Sequence, residues 1–348
     1  MIDKFDKTVL AELKYFLKEI NKREVLISEG RKDEYVPPHP ALQIDVMYWH
    51  PNRTRHGEVD WLMKYIFNEE VSFTNKILNA FAVKFYGPAQ AILNAINETE
   101  FSTKNLIDFE RLPEDEDYQE WIRANLLRAR TEKKEQWGTT ELRTSLQTAA
   151  REYCGGAVGN TDWANMIEWI ASFKKGGLID FYACRPTMEE AFKKLTSYRG
   201  IGNYYGYHAN SNLARCYDIS MNENEDFVIA GPGAHKTIEK LYPNQKKDKV
   251  TDQQILLYIR DNQDIIFEHE DVDRKALSQN LKPTQHVDFL TSFGCEITCC
   301  QFGVYQRFLE KPELINARKL EVNKEKKKTA EAEKKKADSE RAASLLEF

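Results

Sequence analysis

Between Leu195 and Lys240 the chain gathers residue types that grip phosphate and move protons. Arg199-Gly200-Ile201-Gly202 is followed by Asn203, Tyr204, Tyr205 and Tyr207, then by the acidic pair Glu225-Asp226. Gly231-Pro232-Gly233-Ala234 comes next, with His235 and Lys236 directly behind it. Glycines spaced as Gly200 and Gly202 let a chain reverse tightly with positive φ and leave N–H groups bare. At a helix N-terminus such groups suit a phosphate. The same spacing also serves a plain αα-hairpin that needs glycine only for its turn. His235 and Lys236 fall in the first turn of a helix, where two cations oppose the helix dipole unless an anion lies nearby. His235 reads either as a general acid or as a solvated side chain, and Lys236 as a phosphate contact.

Two further places carry candidate chemistry. Arg53 and Arg55 stand with His56 beside Glu58 and Asp60. A guanidinium such as Arg55 matches phosphate or pyrophosphate oxygens bidentately; the other reading is an ion-pair cluster capping the next helix. Glu296 sits in an otherwise apolar stretch. Burial there would raise its pKa and fit it to take up a proton. Otherwise it hydrogen-bonds Arg307 or a backbone group. The run Glu268–Asp273 offers hard oxygens for a divalent ion, but reads more simply as a solvated loop, so no metal is expected. The six cysteines form no CxxC pair, and no Walker A motif occurs, which disfavours a zinc site and a kinase.

These residues must be positioned by helices. Apolar residues recur at helical spacing over 4–23, 73–96 (broken at Gly87-Pro88), 118–130, 140–153, 163–173, 188–195 and 203–215. The pattern resumes from about Ala234, over 251–261, and from His286 to Leu309. The chain of 348 residues is 41% hydrophobic with a net charge of −5. It is long enough for one large or two ordinary domains. That charge argues against coating nucleic acid through overall charge, yet 50 Lys and Arg leave room for a local basic face. No apolar run is long enough to span a membrane and the N-terminus is unlike a signal peptide, so a cytoplasmic location is expected. From Arg318 onward ten Lys and Arg stand against seven acids, the composition of a solvated helix or disordered arm.

Helix, Gly-x-Gly hairpin, helix and a later acid together resemble the helix-hairpin-helix DNA glycosylases. The text is most similar to a phage thymine-hypermodification family, the α-glutamyl/putrescinyl thymine pyrophosphorylases or amino acid:DNA transferases. Related helical domains accompany 5-hydroxymethyluracil DNA kinases. Gly231-Pro232-Gly233-Ala234 matches that family's turn outright, and Cys300, Phe302, Tyr305 and Arg307 match its late motif. Asn52 and Arg55 match an earlier one, with His56 and Glu58 in place of its acids. Tyr207-His208 stands for Tyr-Gln, and Gln301, Gly303 and Val304 replace Glu, Asp and Lys. Loss of those ionisable residues implies binding without that chemistry, a different nucleophile, or compensation by Glu296.

The resemblance implies an all-α, glycosylase-like fold over 1–312, with two helical lobes and a DNA-binding cleft, and a charged tail over 313–348. A modified thymine would be flipped inward, since chemistry on a stacked base is sterically blocked. Tyr204, Tyr205 and Tyr207 are its stacking candidates. DNA or phosphate would be held by Arg53, Arg55, Arg199, Gly200, Gly202, Asn203, Gly231, Gly233, Lys236 and Arg307. The implied reaction replaces the phosphate or pyrophosphate of a 5-hydroxymethyluracil with an amine, from an amino acid or a polyamine. Glu296, Asp226 and His235 are the candidates for proton transfer, and no cofactor is implied. Two alternatives stand: a base-excision glycosylase using Asp226, and a non-catalytic DNA-binding partner of a 5-hydroxymethyluracil DNA kinase.

Overall fold

Helix starts in this chain are written by short polar caps. Asp6 accepts hydrogen bonds from the amides of Thr8 and Val9 and opens α1 (Lys7–Ser28), whose Leu13, Phe16, Leu17 and Ile20 are buried. The computed structural model describes residues 1–43, 59, 62–86, 106–131, 144–155, 162–216, 218–221, 225–267 and 290–320. Among these the regular structure is helical, with no strand, as the periodicity implies. After α1 come α2 (Phe73–Tyr86), α3 (Glu116–Thr131), α4 (Thr144–Tyr153), α5 (Asp162–Lys175) and α6 (Leu178–Ala183). Then come α7 (Met188–Thr196), α8 (Asn203–Leu213), α9 (Pro232–Leu241), α10 (Gln245–Asp248), α11 (Asp252–Asp261), α12 (Gln263–Phe267) and α13 (Ser292–Glu310). Capping boxes from Thr187 with Glu190 and from Thr251 with Gln254 start α7 and α11.

Two sets of contacts hold the elements around the central stretch. In the first, α8 packs on α7 and α2, and α5 on α2, α3 and α4. Phe81, Phe85, Trp169, Phe173, Tyr182 and Tyr205 form its aromatic interior. Gly200 sits at φ 87° in the turn between α7 and α8. In the second, α13 packs along α9 and beside α11 and α1. Helices α9 and α13 approach closely because their contact is made of small residues. A Cβ on Gly233 would lie 2.6 Å from the Cys300 sulfur, and one on Gly303 would lie 2.8 Å from Thr237 Oγ1. Thr237 in turn donates to the Cys299 carbonyl at 2.7 Å.

The late motif is therefore largely a packing surface. Cys300 meets Gly233, while Phe302 and Tyr305 pack on Phe16 with centroids 5.7 and 5.0 Å away. Where the resembled family has an acid, Gly303 supplies the space this crossing needs. Gly233→Val is expected to lower the unfolding free energy by about 1–3 kcal/mol through overpacking. Urea unfolding would show this as a lower midpoint at unchanged slope.

Residues 313–320 are helical and Ile315 is buried, so the first turns of the expected tail belong to the packed structure. The rest of that tail, and the Glu268–Asp273 run, lie outside the described residues.

Candidate nucleic-acid modification site

A pocket of about 400 Å³ opens where the N-termini of α8, α9 and α11 meet. Asn203, Tyr204, Tyr207 and His208 line it from α8; Ile229 to Pro232 form another wall, and His235 and Asp252 complete it. Both α8 and α9 begin at glycine, Gly202 and Gly231, and neither has a side-chain cap among the described residues. Pro232 at the first turn of α9 fits a helix start, since its missing N–H would be an orphan anyway. Partial positive charge from aligned peptide dipoles thus faces the pocket on more than one side.

Tyr204 is half-buried, and its ring lies on the His208 imidazole with centroids 4.2 Å apart and planes at 33°. The Lys84 ammonium sits 5.2 Å from the Tyr204 centroid, a cation–π contact that steadies the ring. Tyr205 and Tyr207 are buried: Tyr205 packs edge-on to Phe85, and Tyr207 against Phe227 and Phe293. Of the three, Tyr204 and Tyr207 line the pocket, Tyr204 being the half-buried one, and Tyr205 does not reach the lining.

His235 Nδ1 is 2.7 Å from Asp252 Oδ2. Its other nitrogen is 3.5 Å from Glu239, which also pairs with Lys246 at 3.3 Å. His235 is therefore neither a bare cation nor idle in solvent. Lys236, one residue on, is exposed and has no ion-pair partner among the described residues. The described lining holds no lysine or arginine. An anion there would rely on helix N-termini rather than on a guanidinium clamp.

Glu296 is buried, and its Oε1 accepts from the Gly231 amide at 3.0 Å. Of the two sequence readings, this contact is the backbone one. The side chain braces the glycine turn that forms the pocket wall. Arg307 is exposed eleven residues further along the same helix, roughly 16 Å away at the α-helical rise, so the structure does not bring it to Glu296. Glu296→Gln keeps an acceptor for Gly231 and is expected to retain folding and activity. Glu296→Leu strands a buried N–H at a cost of about 1–3 kcal/mol. Thermal unfolding and turnover of both variants check this; lost activity in a stably folded Gln variant would make the carboxylate a proton carrier.

The other sequence candidates are scattered. Asp226 is exposed, pairs with Arg260 at 2.6 Å, and does not line the pocket. Glu225 accepts from the Met188 amide at 2.7 Å, capping α7. Arg260 also reaches Ser292 Oγ and the Glu225 carbonyl, so the acidic pair ties the loop before α9 to the start of α13. Arg199 is exposed and pairs through both terminal nitrogens with Glu152 of α4. A Cβ on Gly200 would lie 2.6 Å from Ala149 Cβ and 2.7 Å from the Ser145 carbonyl, so that side of the hairpin is covered by α4. Gly202 and Asn203 are exposed beside it. Arg53 and Arg55 lie outside the described residues.

The sequence reading missed Asp252. Its local signal, the Thr251-Asp252-Gln253-Gln254 capping box, marks a helix start but not what that start faces. The six cysteines are free thiols. Burial pushes Cys154 and Cys295 up to about 12 and Cys299 well above its ordinary value, which leaves these three unreactive. Among the described residues no cluster of three His, Cys, Asp or Glu side chains could hold a metal. No described helix is long and apolar enough to cross a membrane.

Residues 126–313, a little over half of the chain and the whole described pocket, match a family described as the helical domain of 5-hmdU DNA kinase. No curated protein and no solved structure matches the chain.

Proposed function

The chain belongs to the family of the 5-hmdU DNA kinase helical domain, and from that premise we propose that it modifies 5-hydroxymethyluracil in DNA. The base turns out of the duplex into the pocket between α8, α9 and α11, so that the C5 methylene, which in a stacked pyrimidine projects into the open major groove, is enclosed by protein groups. The observation that carries this reading is the Tyr204–His208 pair forming one wall beside His235. A flat aromatic wall favours a planar ring, and a histidine beside it can move a proton.

The reaction we propose is displacement of a phosphate or pyrophosphate from that methylene by a small amine. The C–O bond breaks with its electron pair leaving on the phosphate oxygen, and an N–C bond forms. The proton released by the nitrogen passes to His235 and then to solvent. The departing anion lies against the N–H groups at the starts of α8 and α9, where preorganised donors stabilise developing charge. Lys236, exposed and next to His235 in sequence, adds a contact to the DNA backbone or to that anion.

A second reading has its own observation. Glu296 and Asp226 are both engaged by protein groups, the Gly231 amide and the Arg260 guanidinium. A domain that presents the base to a separate kinase needs no proton carrier of its own. To decide, DNA bearing phosphorylated or pyrophosphorylated 5-hydroxymethyluracil is incubated with the protein and pooled amino acids and polyamines. The DNA is then digested to nucleosides for mass spectrometry. A heavier thymidine establishes the transfer and names the amine; unchanged nucleosides with DNA retained in a gel shift favour the presenting domain. Alkali-labile strand breaks would instead mean base excision.

A further inference from the structure

Asp252 makes two side-chain contacts that separate it from an ordinary surface acid. One carboxylate oxygen lies 2.7 Å from His235 Nδ1, and the other accepts from Gln245 Nε2 at 2.5 Å. Gln245 is itself buried, and the Thr251–Gln254 capping box fixes the backbone on which Asp252 stands. Asp252 is the first residue of α11, where the helix dipole favours a negative charge. An ionised carboxylate only accepts hydrogen bonds, so the nitrogen facing it must carry a proton. The partner of one ring nitrogen then decides the role of the other. The remaining nitrogen, Nε2, faces Glu239 only at 3.5 Å, and Lys246 competes for that carboxylate.

We propose that Asp252 is a positioning residue that holds the proton on Nδ1 of His235 and so keeps Nε2 as the nitrogen that exchanges a proton in the pocket. Its part in catalysis rests on the transfer reaction given above. The arrangement itself does not, because the protonation pattern of His235 is measurable without substrate.

The test uses the full chain labelled with ¹⁵N-histidine, in mildly alkaline buffer, with the His235 ring assigned by its absence in His235→Gln. Long-range proton–nitrogen spectra are expected to show a proton on Nδ1 in the wild type. In Asp252→Asn that proton shifts to Nε2, and Asp252→Glu restores the wild-type pattern. Far-UV circular dichroism confirms that each variant is folded. Amine transfer by Asp252→Asn is expected to fall on the order of 10²–10⁴-fold, with DNA retention in a gel shift unchanged. An unshifted Nδ1 proton in folded Asp252→Asn overturns the proposal, whatever the activity. A proton that shifts in Asp252→Asn, together with a wild-type protein that transfers no amine, leaves the positioning role standing and removes the proposed reaction.

Discussion

His235→Gln is expected to lower amine transfer by about 10²–10⁴-fold, the usual contribution of a positioned proton carrier, while the protein stays folded. The side chain is nearly half exposed, and its recorded partners are Asp252 and Glu239. Exposed pairs of this kind contribute on the order of 0–1 kcal/mol to stability, so the fold has little to lose. Glutamine keeps polar atoms in roughly the same place but takes up no proton near neutral pH. The loss should therefore fall on the turnover of bound DNA, with DNA affinity close to that of the wild type. Single-turnover rates at saturating DNA, with a parallel gel shift, separate the two. A variant that binds normally and turns over at the wild-type rate would remove His235 from the chemistry.

Gly200→Val is expected to act on the other side of the balance, costing about 2–5 kcal/mol of stability. Two effects combine. The residue sits at φ 87°, where a side chain costs roughly 1–2 kcal/mol and a β-branched one is a genuine outlier. Its Cβ would also meet Ala149 Cβ at 2.6 Å and the Ser145 carbonyl at 2.7 Å. Both belong to α4, and backbone cannot turn aside as the tip of a long side chain can. Overpacking of this kind costs about a further 1–3 kcal/mol. Chemical denaturation of the variant, beside Gly202→Val as a control, checks the account. A Cβ at Gly202 meets nothing within 4 Å and its φ is −84°, so that substitution should change stability by much less.

The contrast between these two glycines shows how far local sequence carries. The Gly-x-Gly spacing identifies a turn between two helices, and the structure has one, with α7 and α8 packed so closely that a Cβ on Gly206 would lie 2.5 Å from Thr196 Cγ2. Spacing does not say what lies against the turn. Only the tertiary arrangement places α4 over Gly200, some fifty residues away in sequence. Helix starts are legible for a local reason, since caps such as Asp6, Thr187 and Thr251 act within three residues of themselves. Pairings are not. Asp252 reaches His235 across 17 residues, Arg260 reaches Asp226 across 34, and Glu296 reaches Gly231 across 65. No periodicity encodes those distances. For that reason the acidic pair Glu225-Asp226 reads as chemistry in the sequence and as a tie between elements in the structure. Gly303 reads as a lost acid in the sequence, and proves to be the space that lets α9 and α13 touch.

The central claim is that the base enters the pocket between α8, α9 and α11, and photo-crosslinking tests it most directly. A single 5-iodouracil replaces the target base in duplex DNA, the complex is irradiated, and the attached peptide is sequenced by mass spectrometry. Crosslinks on the Asn203–His208 segment, lost in Tyr204→Ala, are the expected result. A crosslink confined to the α7–α8 turn at Arg199–Gly202, or to residues away from the pocket, would contradict the account and leave the pocket without its base.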